Sequence, residues 1–123
     1  CSPGNDVPPE QFQANLHELA DRFATTDTLA VLQTTCPILP GGAPDREAHF
    51  DTYMQVVRDV SRERSLPLID HTAHWRDHPA KFYYWQSDPF HPNEIGHRAF
   101  AFKLLNDLGI HDPDSATGRL FVA

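Results

Sequence analysis

Apolar residues return at helical spacing over residues 10–23, where Phe12, Leu16, Leu19, Ala20 and Phe23 share one face. Pro8 and Pro9 stand where a helix start tolerates proline. The pattern then changes. TLAVLQTT, residues 28–35, is short, apolar and β-branched, and it halts at Cys36 and Pro37 before the turn-rich ILPGGAPD, which predicts a buried strand followed by a loop. A second amphipathic helix is predicted over 46–64, with Phe50, Tyr53, Met54, Val57 and Val60 on its apolar face. LPLID, residues 66–70, predicts another short strand. Strand, helix and strand at this spacing make a βαβ unit, whose two strands run parallel and are joined by a right-handed crossover. The fold class expected is α/β.

Residues 71–86, HTAHWRDHPAKFYYWQ, are dense in histidine and aromatics and carry no clean period, so they predict irregular structure. A last helix is expected over 93–107, with Ile95, Ala99, Phe102, Leu105 and Leu108 inward and Gly109 as its stop. His97 is expected to be structural, on the core side of that helix or capping a neighbour. The tail HDPDSATGRLFVA is expected to be mobile except at its apolar end, and the chain shows no repeat or low-complexity segment.

Length and charge narrow the classes of function. A chain of 123 residues fits one domain with a modest core. Its formal charge of -7 repels a phosphate backbone or an anionic membrane surface, so nucleic acid is not an expected partner. No apolar run reaches the roughly 20 residues of a membrane span, and a soluble protein is expected, its compartment left open. The chain opens on Cys1 and its only methionine is Met54, from which an upstream segment, removed or omitted, is expected. Two cysteines, Cys1 and Cys36, are too few for a disulfide scaffold, and their spacing does not argue for a bridge between them.

Chemistry concentrates in two stretches. One is SDPFHPNEIGH, residues 87–97, which places Asp88 three residues before His91 at a helix entrance. With 12 Asp and 8 His in the chain, about one D-x-x-H pair is expected by chance, so the weight rests on the surrounding His-Pro-Asn and on Gly96-His97. The other is Gly4-Asn5-Asp6 near the start, which on its own reads as turn chemistry. In an open parallel sheet, function gathers on loops beyond the carboxyl ends of the strands, where the region 70–91 is expected to lie.

These residues resemble the SGNH (GDSL-type) hydrolases, a family of serine esterases on a flavodoxin-like, three-layer α/β/α fold. Asp88-Pro89-Phe90-His91-Pro92-Asn93, with Gly96-His97, matches the family's C-terminal D-x-x-H block, and Asn5-Asp6 matches the second half of its G-x-N-D block. Pro3 stands where that block has its glycine. The family's nucleophilic serine and oxyanion glycine blocks lie upstream of G-x-N-D, so this chain resembles the C-terminal portion, a partial sheet with flanking helices. The resemblance implies His91 as general base, Asp88 as the group that orients it, Asn5 as an oxyanion donor, and no cofactor. An imidazole can take a hydroxyl proton at neutral pH and return it to the leaving alcohol, a carboxylate on its other nitrogen fixes the tautomer, and an amide N–H stabilises developing negative charge. By analogy the substrate is a small-molecule or carbohydrate ester, with deacetylation first.

Other readings stand beside this one. Ser2, Ser61, Ser65, Ser87 and Ser115 are the only serines, and none occupies a strand-to-helix elbow. The chain alone is therefore expected to be inactive, and a partial sheet would leave an edge open to its missing portion, a second chain or a second copy of itself. His71, His74 and His78, beside Asp70 and Asp77, offer imidazoles and carboxylates for a metal-dependent hydrolase. Trp75, Tyr84 and Trp85, with Phe82 and Tyr83, either line a substrate pocket or fill core.

Overall fold

The computed structural model describes residues 7–120. Helix α1, Pro9–Ala24, is entered through Pro8 and begins on Pro9, whose missing N–H costs nothing in a first turn. Strand β1 is Leu32–Gln33, helix α2 is Pro44–Arg64, and strand β2 is Leu68–Ile69. Three short elements follow, α3 at His71–Arg76, α4 at Pro79–Phe82 and a 3₁₀ turn at Tyr83–Trp85. Helix α5, Glu94–Asp107, and a 3₁₀ turn at Gly118–Leu120 close the described chain.

β1 and β2 are parallel neighbours, Leu32 opposite Leu68 and Gln33 opposite Ile69, with α2 as the crossover. The fold is therefore α/β, as the hydrophobic pattern predicts, but each strand is two residues long rather than eight or five. The ladder ends early because β2 gives way at Asp70 to a new helix: Leu32 N–H donates to Pro67 O at 2.9 Å and Thr34 N–H to Ile69 O at 3.1 Å, while the Thr35 N–H, on the opposite edge of β1, turns to Met54 Sδ at 3.5 Å. With two strands in the sheet, β1 is an edge.

Beyond the ladder, side chains fasten the strand ends. Asp70 ends β2 and caps α3, its Oδ1 accepting from Ala73 N–H at 3.0 Å. The same carboxylate takes Arg58 of α2 in a two-point bond (Nε to Oδ2 2.8 Å, Nη2 to Oδ1 3.1 Å) and the Thr34 hydroxyl at 2.8 Å. Partial burial raises its pKa, but Arg58, the Ala73 N–H and Thr34 outweigh this and hold it at about 2. Thr72 completes the seam, its N–H donating to Thr34 Oγ1 and its hydroxyl to Thr35 O. Four polar groups thus lock the carboxyl ends of both strands to the crossover helix.

The segment 71–86 is the main departure from the predicted irregular structure. Helices of six and four residues are too short to repeat an apolar stripe, so no period betrays them. They exist because Trp75, wholly buried, anchors the core with Phe82, Trp85 and Cys36. Trp75 meets Trp85 edge-on at 5.0 Å and Phe100 at 5.4 Å.

Helix α5 keeps Ala99, Phe102 and Leu105 of the predicted face half-buried, but Ile95 is 49% exposed and Leu108 is also exposed, while Gly96 and Phe100, outside the predicted set, meet the core. Gly96 sets how the start of the helix meets it: a Cβ there would lie 2.0 Å from Trp85 O, so only glycine lets the helix pass this backbone. His97, one position on, is exposed rather than core-facing. The tail folds back at least as far as residue 120, where Gly118 N–H donates to Ser115 Oγ at 2.8 Å. No helix among the described residues is long and apolar enough to cross a membrane.

Candidate active site

Residues 86–92 form a loop pinched shut by an antiparallel bridge between Gln86 and Pro92, and Ser87 N–H donates to His91 O at 3.0 Å. Within it the D-x-x-H spacing has a geometric meaning. Asp88 Oδ1 accepts from the N–H groups of Phe90 and His91, both at 2.9 Å, which curls the chain so that Oδ2 meets His91 Nδ1 at 2.6 Å. One carboxylate oxygen shapes the loop and the other orients the ring. The Phe90 N–H, then His91, hold the Asp88 carboxyl below the usual range. With Nδ1–H given to Asp88, a neutral His91 carries its lone pair on Nε2, the tautomer a general base needs.

The loop is anchored to the segment after β1. Leu39 N–H donates to Pro89 O at 2.7 Å, Gln86 Nε2 to Pro37 O at 2.8 Å, and the Cys36 thiol lies 3.5 Å from Phe90 O. Gly42 allows the approach, since a Cβ would fall 2.6 Å from Pro89 Cβ. On the other side Asn93 caps α5, its Oδ1 accepting from Ile95 and Gly96 N–H while its Nδ2 donates to Tyr84 O at 2.7 Å. The Asp88–His91 pair therefore sits on a loop clamped at both ends, with the His91 side chain exposed.

A cleft of about 680 Å³ opens beside this loop, between the segment after β1 and the first half of α2. Ile38, Phe50, Tyr53 and Met54 give it apolar walls, and Cys36, Arg46 and Phe90 line it as well. A second cleft of about 370 Å³ lies across the Ile38–Phe50 wall and holds Glu47, Asp51, Arg76 and Tyr83. Burial pushes the Cys36 thiol up to about 11, against a backbone hydrogen bond that lowers it, so it is a neutral, free thiol rather than a nucleophile.

Several residues singled out in the sequence fall elsewhere. Asn5 and Cys1 lie outside the described residues. Trp75 and Trp85 are buried in the core cluster, and Tyr84 stands 74% exposed away from the lining of both clefts. The histidine cluster divides: the His74 and His78 rings pack at 4.6 Å and His78 donates through Nδ1 to His74 O, while His71 is wholly buried with Nε2 on Gln33 Oε1 at 3.0 Å. Burial, then the Lys103 and His74 charges, push His71 down to about 4. Among the described residues no three His, Cys, Asp or Glu side chains are placed to hold a metal ion, which corrects the reading of His71, His74 and His78 as a metal site.

What was missed is Arg46, whose guanidinium carbon lies 4.2 Å from the Phe90 ring centroid. Nothing in the order of residues links two positions so far apart in the chain.

An Asp–His pair on a loop joined to the carboxyl end of a parallel strand places this chain in the class of α/β proteins whose sites lie beyond the strand ends. Residues 4–99 match the model of the GDSL-like lipase/acylhydrolase family, and the chain belongs to that family. Among solved structures it is similar to an α/β-hydrolase enzyme from the metagenome of Lake Arreo, Spain, at 28% identity and a TM-score of 0.71, over 90% of this chain and 52% of that one. A lipase/acylhydrolase from Enterococcus faecalis aligns at 20% identity and a TM-score of 0.75, over 94% and 59%. A catalytic mutant of an acetylxylan esterase from Geobacillus stearothermophilus aligns at 21% and 0.71, over 84% and 48%. The chain thus spans about half the length of these structures. A comparison with curated proteins returns no match.

Proposed function

We propose that these residues are the acid/base portion of a carboxylic-ester hydrolase that works through an acyl-serine intermediate, with a nucleophile supplied from outside this chain. The observation that carries the reading is the 2.6 Å bond from His91 Nδ1 to Asp88 Oδ2 on a loop shaped by the other carboxylate oxygen. In this reading His91 Nε2 takes the serine proton as Oγ attacks the ester carbonyl, then returns it to the alkoxide leaving group. Asp88 holds the tautomer and stabilises the imidazolium. The Asn5 side chain donates to the oxyanion. Four serines of this chain fall among the described residues, and their placement supports an external nucleophile. Ser61 is buried on Leu66 O, Ser65 ends α2 with a positive φ, Ser87 bonds the His91 carbonyl and Ser115 caps Gly118. An acetylated carbohydrate is the substrate to try first, supported by the acetylxylan esterase among the structural neighbours.

The test is labelling of the longest natural form of the protein with a serine-directed fluorophosphonate, followed by turnover of 4-nitrophenyl acetate. Labelling that depends on His91, together with turnover, supports the reading, and full turnover by His91→Ala sinks it.

One observation favours a second reading, association through the sheet edge. The Thr35 N–H rests on a thioether, a weak acceptor, where a neighbouring strand would offer a carbonyl. A chain of 13.9 kDa that remains monomeric by light scattering at high concentration would rule this out.

A further inference from the structure

We propose that Arg46 selects esters that carry a carboxylate, by offering a guanidinium fork in the cleft beside the candidate base. The proposal rests on the hydrolase reading above. Arg46 lies in the first turn of α2 and lines the 680 Å³ cleft together with Phe90, the residue before His91. Its guanidinium carbon lies over the Phe90 ring, 4.2 Å from the centroid, and that ring lies 4.5 Å, centroid to centroid, from the His91 imidazole. The cation is thus one aromatic ring away from the proposed chemistry.

A contact with a ring face spends none of the fork of N–H donors on a hydrogen-bond acceptor, and that fork matches a carboxylate. Six other cations in the described chain are engaged in ion pairs: Arg22 with Glu18, Arg58 with Asp70, Arg62 with Asp59, Arg64 with Asp21, Arg76 with Asp51 and Lys103 with Asp107. Among the described residues the Arg46 side chain makes no ion pair and no hydrogen bond, although it is exposed in a chain of formal charge -7. Asp45 and His49 line the same cleft. The Asp45 charge opposes an anion there, and the dipole of the 21-residue α2 favours one at this end. Apart from Thr35, the remaining walls are mostly apolar, Ile38, Pro44, Phe50 and Met54 among them, so a ligand that fits combines a hydrocarbon body with one anionic group near Phe90. A hemiester of a dicarboxylic acid presents that group on its acyl side, and an ester of a carboxylated alcohol presents it on the other side.

The experiment uses the intact hydrolase and two matched pairs of substrates. 4-Nitrophenyl hemiglutarate against 4-nitrophenyl valerate reads the acyl side, and 4-carboxyphenyl acetate against phenyl acetate reads the alcohol side. In one pair, kcat/KM for the anionic member relative to its neutral partner should fall about tenfold in Arg46→Gln. Arg46→Lys, which keeps the charge but loses the fork, should fall between. Added salt should lower the wild-type ratio and leave that of Arg46→Gln flat. Arg76→Gln, in the neighbouring cleft, should leave the ratio as it is. Ratios unchanged by Arg46→Gln in both pairs, or lowered equally by Arg76→Gln, overturn the role of Arg46 while leaving the hydrolase reading intact. Absence of turnover on all four esters in a fluorophosphonate-labelled protein overturns the selectivity alone, and absence of both label and turnover overturns the hydrolase reading and this proposal with it.

Discussion

Asp70 and Asp88 are built alike and end in different places. Each uses Oδ1 to accept backbone N–H groups up to three residues ahead, and each holds a basic side chain with Oδ2, Arg58 for one and His91 for the other. Asp70 lies partly buried at the seam between both strands and α2, whereas Asp88 lies on an exposed loop. Arg58 stays charged at any pH the fold survives, so its bond is permanent and structural. His91 instead brings a second ring nitrogen, Nε2, which in the proposed reading faces the serine while Nδ1 stays on Asp88. The same local device therefore ties the architecture together where its partner is an arginine and orients an imidazole where its partner is a histidine.

The comparison can be broken from either side. The largest effect should be that of His91→Ala in the intact hydrolase, a loss of turnover of several orders of magnitude with an unchanged unfolding midpoint. Asp88→Asn should lower kcat by about 10²–10⁴, since an amide cannot hold the same tautomer. A fall in stability rather than in rate would make Asp88 a second Asp70. Asp70→Asn should do the reverse, costing about 3 kcal/mol in urea unfolding with modest effect on rate, because Arg58 is left without its counter-charge.

Linkage sharpens this third case. The Asp70 carboxyl sits at about 2 when folded against an ordinary 3.8. Its contribution, about 2 kcal/mol, is therefore complete above pH 4 and is lost as the pH falls through 2. Unfolding midpoints of Asp70→Asn between pH 4 and 2 should lack that decline. The smallest effect is expected from Asn93→Ala, about 1 kcal/mol of stability for a lost helix cap, read by thermal unfolding, with some loss of rate because Asn93 also grips Tyr84 O.

Local patterns carried most of what could be read without coordinates. Helices α1, α2 and α5 were legible because each repeats its apolar positions over several turns. The Asp88–His91 bond was legible because its partners are three residues apart. The strands were overread, since TLAVLQTT is apolar enough for eight residues but finds a ladder partner for only two. The predicted face of α5 holds for Ala99, Phe102 and Leu105 and fails at Ile95 and Leu108, because a glycine against Trp85 O, invisible in any periodicity, sets how the start of the helix meets the core. Arg46 and Phe90 meet through tertiary packing alone.

The Leu39 N–H, bonded to Pro89 O at 2.7 Å, exchanges with solvent only when the loop carrying His91 lifts away from the segment after β1. Deuterium uptake at this one amide is thus a clock for that opening. It reads how often the candidate base leaves its place, in a protein of any length and without a substrate.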